Sequence, residues 1–203
     1  MPRPGARRGG RPICAIELCR TLSGVHGRHR TRSVRLPSRA SRGTEFRPEP
    51  ARMARAYAEL FSPRPFDLTT FPNDEDYDEL VLARGIPLRS VCEHHLLPFV
   101  GTAHVGYLPG QRILGLSKLA RVVEYFACRP QVQERLTKQV ADWLETHLEP
   151  KGVGVVIEAE HTCMTLRGVQ ATGSRTLTST LLGAPRTDAR SRSEFLALTE
   201  LRS

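Results

Sequence analysis

Cys92, His94 and His95 stand within four consecutive residues, and Cys163 lies far downstream. A thiolate and an imidazole at C-x2-H spacing reach the same side of a tight turn and can close on one ion. Alone the pair is weak evidence of a metal, because a satisfied core histidine and an inert buried thiol are the commoner fates of such residues. Cys163 strengthens it: the residues before it alternate as one apolar strand face, where His161 beside it would be costly to bury unpartnered. Together, Cys92, His95 and Cys163 read as metal ligands. Three protein ligands leave a fourth position for water, the catalytic arrangement, whereas a fourth ligand from His161 would close the site and make it structural.

Ser117, Lys118 and Arg121 form a second constellation at the start of a helical stretch. Free N–H groups at a helix N-terminus favour an anion, and two cations three residues apart project from one side, so the group suits a phosphate. A solvated polar face is the ordinary reading of any single Lys/Arg pair. Gln133 and Glu134 open the next helix, where a carboxylate is favoured by the helix dipole and is also able to accept from a base edge. By themselves they do not exceed ordinary helix-end preference.

The elements that must position these residues follow from periodicity. Met53, Ala56, Tyr57 and Leu60 predict a helix over Pro50–Phe61, with Arg52 and Arg55 on its polar side. Leu80–Ala83 and Ile86–Val91 read as strand segments broken at Gly85-Ile86-Pro87, and Val100–Tyr107 as another strand. Leu119, Val122, Val123 and Phe126 make one stripe of a helix for which Ser117 is the expected N-cap. A second helix, about Gln131–Leu148, precedes a strand in which Val153, Val155, Ile157, Ala159, His161 and Cys163 share a face. Arg175–Leu182 reads as a strand, and Thr187 is the expected cap of a last helix. Strands in groups with helices between them indicate an α+β fold.

The 203 residues carry 30 Lys and Arg against 21 Asp and Glu, a formal charge of +9. Twelve of the Arg residues lie in 1–47 with only Glu17 and Glu45 as acids, so the remaining residues are nearly neutral. Bulk charge on the body therefore gives no argument for nucleic-acid binding. Residues 1–47 are rich in Arg, Gly, Pro and Ser and lack either structural period, so they read as a disordered extension, with residues 48–203 as the folded domain. A nucleic-acid contact, an organelle transit segment and a stretch upstream of the true start all stay open for the extension. No apolar run reaches the ~20 residues of a membrane span. Five scattered cysteines make a disulfide framework a poor reading and fit a reducing cytoplasm.

Four segments then carry a resemblance. Ser90-Val91-Cys92-Glu93-His94-His95-Leu96-Leu97-Pro98-Phe99, Gly115-Leu116-Ser117-Lys118-Leu119-Ala120-Arg121, Gln131-Val132-Gln133-Glu134-Arg135-Leu136-Thr137 and His161-Thr162-Cys163-Met164-Thr165-Leu166-Arg167-Gly168-Val169 closely resemble GTP cyclohydrolase I. The likeness runs in order from about Pro48 to the C-terminus. It implies a tunnelling fold, an antiparallel sheet with helices packed on one face, whose subunits assemble into a toroidal ring of ten with active sites between subunits. It implies zinc-dependent hydrolysis and rearrangement of GTP to 7,8-dihydroneopterin triphosphate and formate. By position, Cys92, His95 and Cys163 match the zinc ligands, and His94 and His161 the proton-transferring pair. Glu134 with Gln133 matches the guanine-reading residues. Ser117, Lys118, Arg121 and Arg167 match the triphosphate contacts, and Arg55 matches a basic residue reaching a neighbouring subunit's site. The sequence departs from the family where a helical segment before Pro48 gives way to the Arg-rich extension, and where Arg55 replaces a common Lys.

Overall fold

The alternation of Val153, Val155, Ile157 and Ala159 builds an inner strand of the main sheet of the structure, a computed structural model that describes residues 50–200. All four side chains are fully buried. In chain order the elements are α1 (Pro50–Leu60), β1 (Thr70–Pro72), β2 (Val81–Cys92), β3 (Pro98–Leu108), β4 (Arg112–Leu114), α2 (Leu116–Ala127), β5 (Pro130–Gln131), α3 (Gln133–Leu148), β6 (Gly152–His161), α4 (Thr162–Thr165), β7 (Thr176–Gly183), α5 (Ala184–Thr187) and α6 (Ala189–Glu200). The chain divides into two compact units, Met1–Glu59 and Leu60–Ser203. Of the first, only α1 is described, and none of its residues is buried. The expected boundary at residues 47 and 48, and all that was inferred for the Arg-rich extension, lie outside the described residues. No described helix is long and apolar enough to cross a membrane.

Five strands form one sheet in the order β5-β2-β3-β6-β7, and β1 pairs with β4 in a separate ribbon. The long strands run antiparallel to their neighbours, and only the two-residue β5 lies parallel, against Val91 and Cys92. The expected break in β2 is instead a register shift between Ala83 and Ile86 within one continuous strand. Gly85 there has φ +65° with open space around it, a backbone that glycine adopts without strain.

As the 3.6-residue period requires, α2 buries Leu119, Val122 and Val123, and α3 buries Leu136, Val140, Leu144 and Leu148. α2 packs on β2 and α3 on β6 and β7, over the face that carries Ala103, Val105, Tyr107, Val153 and Val155. Each buried Val or Leu among them contributes about 1.5–3 kcal/mol by leaving water. The Ser90 hydroxyl donates to Ala127 O at 2.7 Å, which ties the end of α2 to β2.

Helix ends differ from expectation in three places. α2 is capped by Gly115, whose own N–H donates to Thr69 O at 3.0 Å, so Ser117 lies inside the first turn and makes no cap. α3 begins at Gln133, because Gln131 is drawn into β5 and buried. At the last helix Asp188, not Thr187, accepts the Ser191 N–H at 2.7 Å. The strand face of β6 also stops short of Cys163. β3 opens with Pro98, which has no N–H to extend the ladder, and beyond the Phe99–His161 pair the chain turns into α4.

Gly154 lies on the opposite side of β6 from Val153 and Val155, where a Cβ would come within 2.7 Å of the Phe195 ring. That ring is fully buried. Gly154→Val is expected to lower stability by roughly 1–3 kcal/mol through overpacking, read from the denaturation midpoint at unchanged m-value.

Candidate functional site

Antiparallel register brings the end of β2, the start of β3 and the end of β6 to one end of the sheet. Cys92 closes β2, and a tight turn follows in which the Leu96 N–H donates to Cys92 O at 2.9 Å and the Cys92 N–H to Leu97 O at 2.8 Å. The turn is held from the side by the Glu93 N–H, which donates to Gln131 O at 3.0 Å, and by the Arg135 guanidinium on the Glu93 carboxylate. That ion pair holds the Glu93 carboxyl below its usual range. Both His94 and His95 then present Nδ1 at 3.7 Å from Cys92 Sγ. On the other side α4 starts directly after β6, with the Thr162 hydroxyl donating to Pro98 O, and so delivers Cys163.

Cys92, His95 and Cys163 each place one ligand atom within 4.8 Å of the others. Among the described residues no other group of three His, Cys, Asp or Glu converges in this way. Two sulfurs and an imidazole nitrogen form a donor set that zinc takes readily. The 3.7 Å from Sγ to Nδ1 is close to the edge of about 3.6 Å that Zn–S and Zn–N bonds of ~2.3 and ~2.1 Å make at a tetrahedral angle. Burial, and then the neighbouring Cys92, push the Cys163 thiol up, as two thiols facing each other without a cation must be. His161 is not in the group. The three-ligand arrangement, rather than the closed one, fits this geometry.

The His161 ring lies stacked on Phe99 with centroids 4.4 Å apart and planes 11° from parallel. Its Nε2 is 2.7 Å from Gln133 Oε1. Burial holds the His161 pKa below its ordinary value, with Glu134 near enough to oppose the shift by its charge. Glu134 itself is exposed in the first turn of α3. Gln133, expected beside it at a base edge, faces inward instead and is only 2% exposed. Its amide nitrogen lies 3.1 Å from Ile157 O, 2.9 Å from Thr176 O and 3.1 Å from Thr178 Oγ1. His94 is largely exposed, 4.0 Å from the Glu93 carboxylate.

Arg167 is exposed and close enough to Cys163 for its charge to act on the thiol. Ser117, Lys118 and Arg121 stand elsewhere. α2 reaches the Cys92 end of the sheet only at Ala127, through Ser90, and ten residues of helix put Ser117 about 15 Å from that point. Arg121 lies 3.5 Å from Glu124, which Arg64 holds in a two-point pair at 2.6 and 2.8 Å. Arg55 is on α1, in the other unit. One chain thus brings together Cys92, His95, Cys163, His161, Gln133, Glu134 and Arg167, and sets the Ser117 group apart. Phe99 and Thr178, which hold the ring and the amide, were not singled out in the sequence. Phe99 closes one of the four quoted segments without a role of its own, and only strand register pairs it with His161.

Comparison with known proteins gives a consistent result. A family model described as GTP cyclohydrolase I matches residues 38–200. The GTP cyclohydrolase 1 of Aquifex aeolicus is 54% identical over 151 residues, 74% of this chain and 82% of that one. That of Thermobifida fusca is 56% identical over 154 residues, 73% of this chain and 74% of its own. That of Mycobacterium tuberculosis is 55% identical over 154 residues, 73% of this chain and 76% of its own.

Proposed function

This chain belongs to the GTP cyclohydrolase I family, and from that premise we propose that it hydrolyses GTP and rearranges it to 7,8-dihydroneopterin triphosphate and formate, at a zinc ion held by Cys92, His95 and Cys163. The convergence of those three ligand atoms within 4.8 Å, beside His161, Glu134 and Arg167, is the observation that carries the reading. Bound there, zinc supplies Lewis acidity and makes a water nucleophilic near neutral pH.

The remaining roles belong to the chain's own side chains. The Glu134 carboxylate accepts from the N–H donors of the guanine edge and orients the purine. His161, kept neutral by burial, takes and returns a proton at Nδ1, and the exposed His94 exchanges protons with solvent. Ser117, Lys118 and Arg121 at the N-terminus of α2, with Arg167, hold the triphosphate. It stays intact and serves only to position the base. Arg55 adds a contact from another subunit.

Sites shared between subunits agree with the layout. The Ser117 group lies about 15 Å along α2 from the Cys92 end of the sheet, so a second copy is needed to bring a phosphate clamp to the metal. Among the described residues β7 has no partner on its outer side, and β5 covers only Val91 and Cys92 of β2. Two open edges of one sheet permit head-to-tail pairing that closes into a ring, and the number of ten subunits, a homodecamer, is what the family likeness implies. The three described cysteines are free, which suits the reducing cytoplasm. Residues 48–203 form the catalytic domain, with 1–47 as an extension that catalysis does not use.

Glu134→Gln tests the recognition step. An amide puts one N–H2 against the base donors that the carboxylate accepted. The variant is expected to keep its zinc while KM for GTP rises and the rate falls. Unchanged steady-state kinetics would remove Glu134 from the site.

A further inference from the structure

We infer that Gln133 is a positioning residue for His161, one that fixes the ring proton on Nε2 and leaves the lone pair on Nδ1. The inference rests on the reading of His161 as the group that moves a proton.

The argument starts from which way the amide must lie. Gln133 occupies the first position of α3, is 2% exposed, and sends its side chain under the sheet. The amide nitrogen faces Ile157 O and Thr176 O, two backbone carbonyls that can only accept. Reversing the amide would set oxygen against both, so nitrogen and oxygen are assigned without ambiguity. Oε1 is therefore the atom that meets His161 Nε2 at 2.7 Å. A carbonyl oxygen only accepts, so the hydrogen belongs to Nε2. In a neutral ring Nδ1 then carries the lone pair.

The hydroxyls behind the amide are directed too. Thr137 donates to Gln133 O at 2.8 Å, so the 2.6 Å contact between Thr137 and Thr178 must be a donation from Thr178. Thr178 Oγ1 is then placed to share, at 3.1 Å, one of the two Gln133 amide hydrogens with a backbone carbonyl. The three bonds close a cycle with one sense, and the cycle holds the amide rigid. Phe99, stacked at 4.4 Å, fixes the ring plane. A residue so enclosed cannot reach a base edge, and its influence on the reaction passes through His161.

Gln133→Leu removes the acceptor with little change in side-chain size. We expect kcat with GTP to fall roughly 10- to 100-fold, as for other side chains that orient a functional histidine, while KM stays within about threefold and zinc content is unchanged. Two comparisons separate positioning from base reading. The GTP to inosine triphosphate preference should be the same in the variant and the wild type. In a His161→Ala background, Gln133→Leu should have little further effect on kcat. A changed base preference, or an undiminished loss without His161, would overturn the inference. Thr178→Val, which leaves the core apolar and removes one acceptor of the amide, gives a smaller loss in the same direction if Gln133→Leu does not fold. Nitrogen-15 shifts of the His161 ring supply a readout independent of turnover, because they read the tautomer itself. Nε2 should carry the hydrogen in the wild type and lose that preference in Gln133→Leu, and an unchanged tautomer contradicts the account. If the wild type does not consume GTP, the functional reading fails while this structural test still stands.

Discussion

Cys163→Ser is expected to purify with little bound metal and to lose turnover down to background. Thiolate is a far better zinc ligand than a neutral hydroxyl, and with two remaining donors the site no longer closes around an ion. The fold should survive, because Cys163 sits on the single turn of α4 and is only half-buried. Elemental analysis for zinc, made alongside the far-ultraviolet circular dichroism spectrum, reads both quantities on one sample. One zinc per chain with full activity would remove Cys163 from the ligand set.

His161→Ala is expected to do the opposite to the metal. Zinc should stay, since the ring lies outside the Cys92, His95 and Cys163 group and its Nε2 is engaged by Gln133. The rate should fall by roughly 100-fold or more, the usual loss for a general acid or base. Loss of zinc together with activity would instead make His161 a fourth ligand. The two variants therefore form a pair whose zinc contents must diverge.

Much of the site was legible because its chemistry is written in residue types at short range. Cys92 and His95 sit on one turn, and the turn geometry is local. The helices were legible as well, from stripes such as Leu136, Val140 and Leu144, whose period follows from 3.6 residues per turn. Three features were not legible, each for a physical reason. Ser117 is a good N-cap by propensity, but Gly115 takes that place because its N–H is already bonded to Thr69 O on a distant segment. Parity predicts Cys163 on the β6 face, and it fails once Pro98 ends the neighbouring ladder. Gln133 next to Glu134 reads as two polar residues opening a helix. The direction of the first is set by carbonyls of β6 and β7, which no sequence window contains. The pattern is general for tertiary hydrogen bonds: the donor is visible, and the partner is not.

The most direct test of the central claim is to incubate the full chain with zinc and GTP and to follow formate and the oxidised product together. One formate should appear per GTP consumed, with a fluorescent pterin rising in step after mild oxidation and with the triphosphate retained on it. Release of inorganic phosphate or pyrophosphate without formate would contradict the account, as would GTP left intact by a protein that carries one zinc per chain.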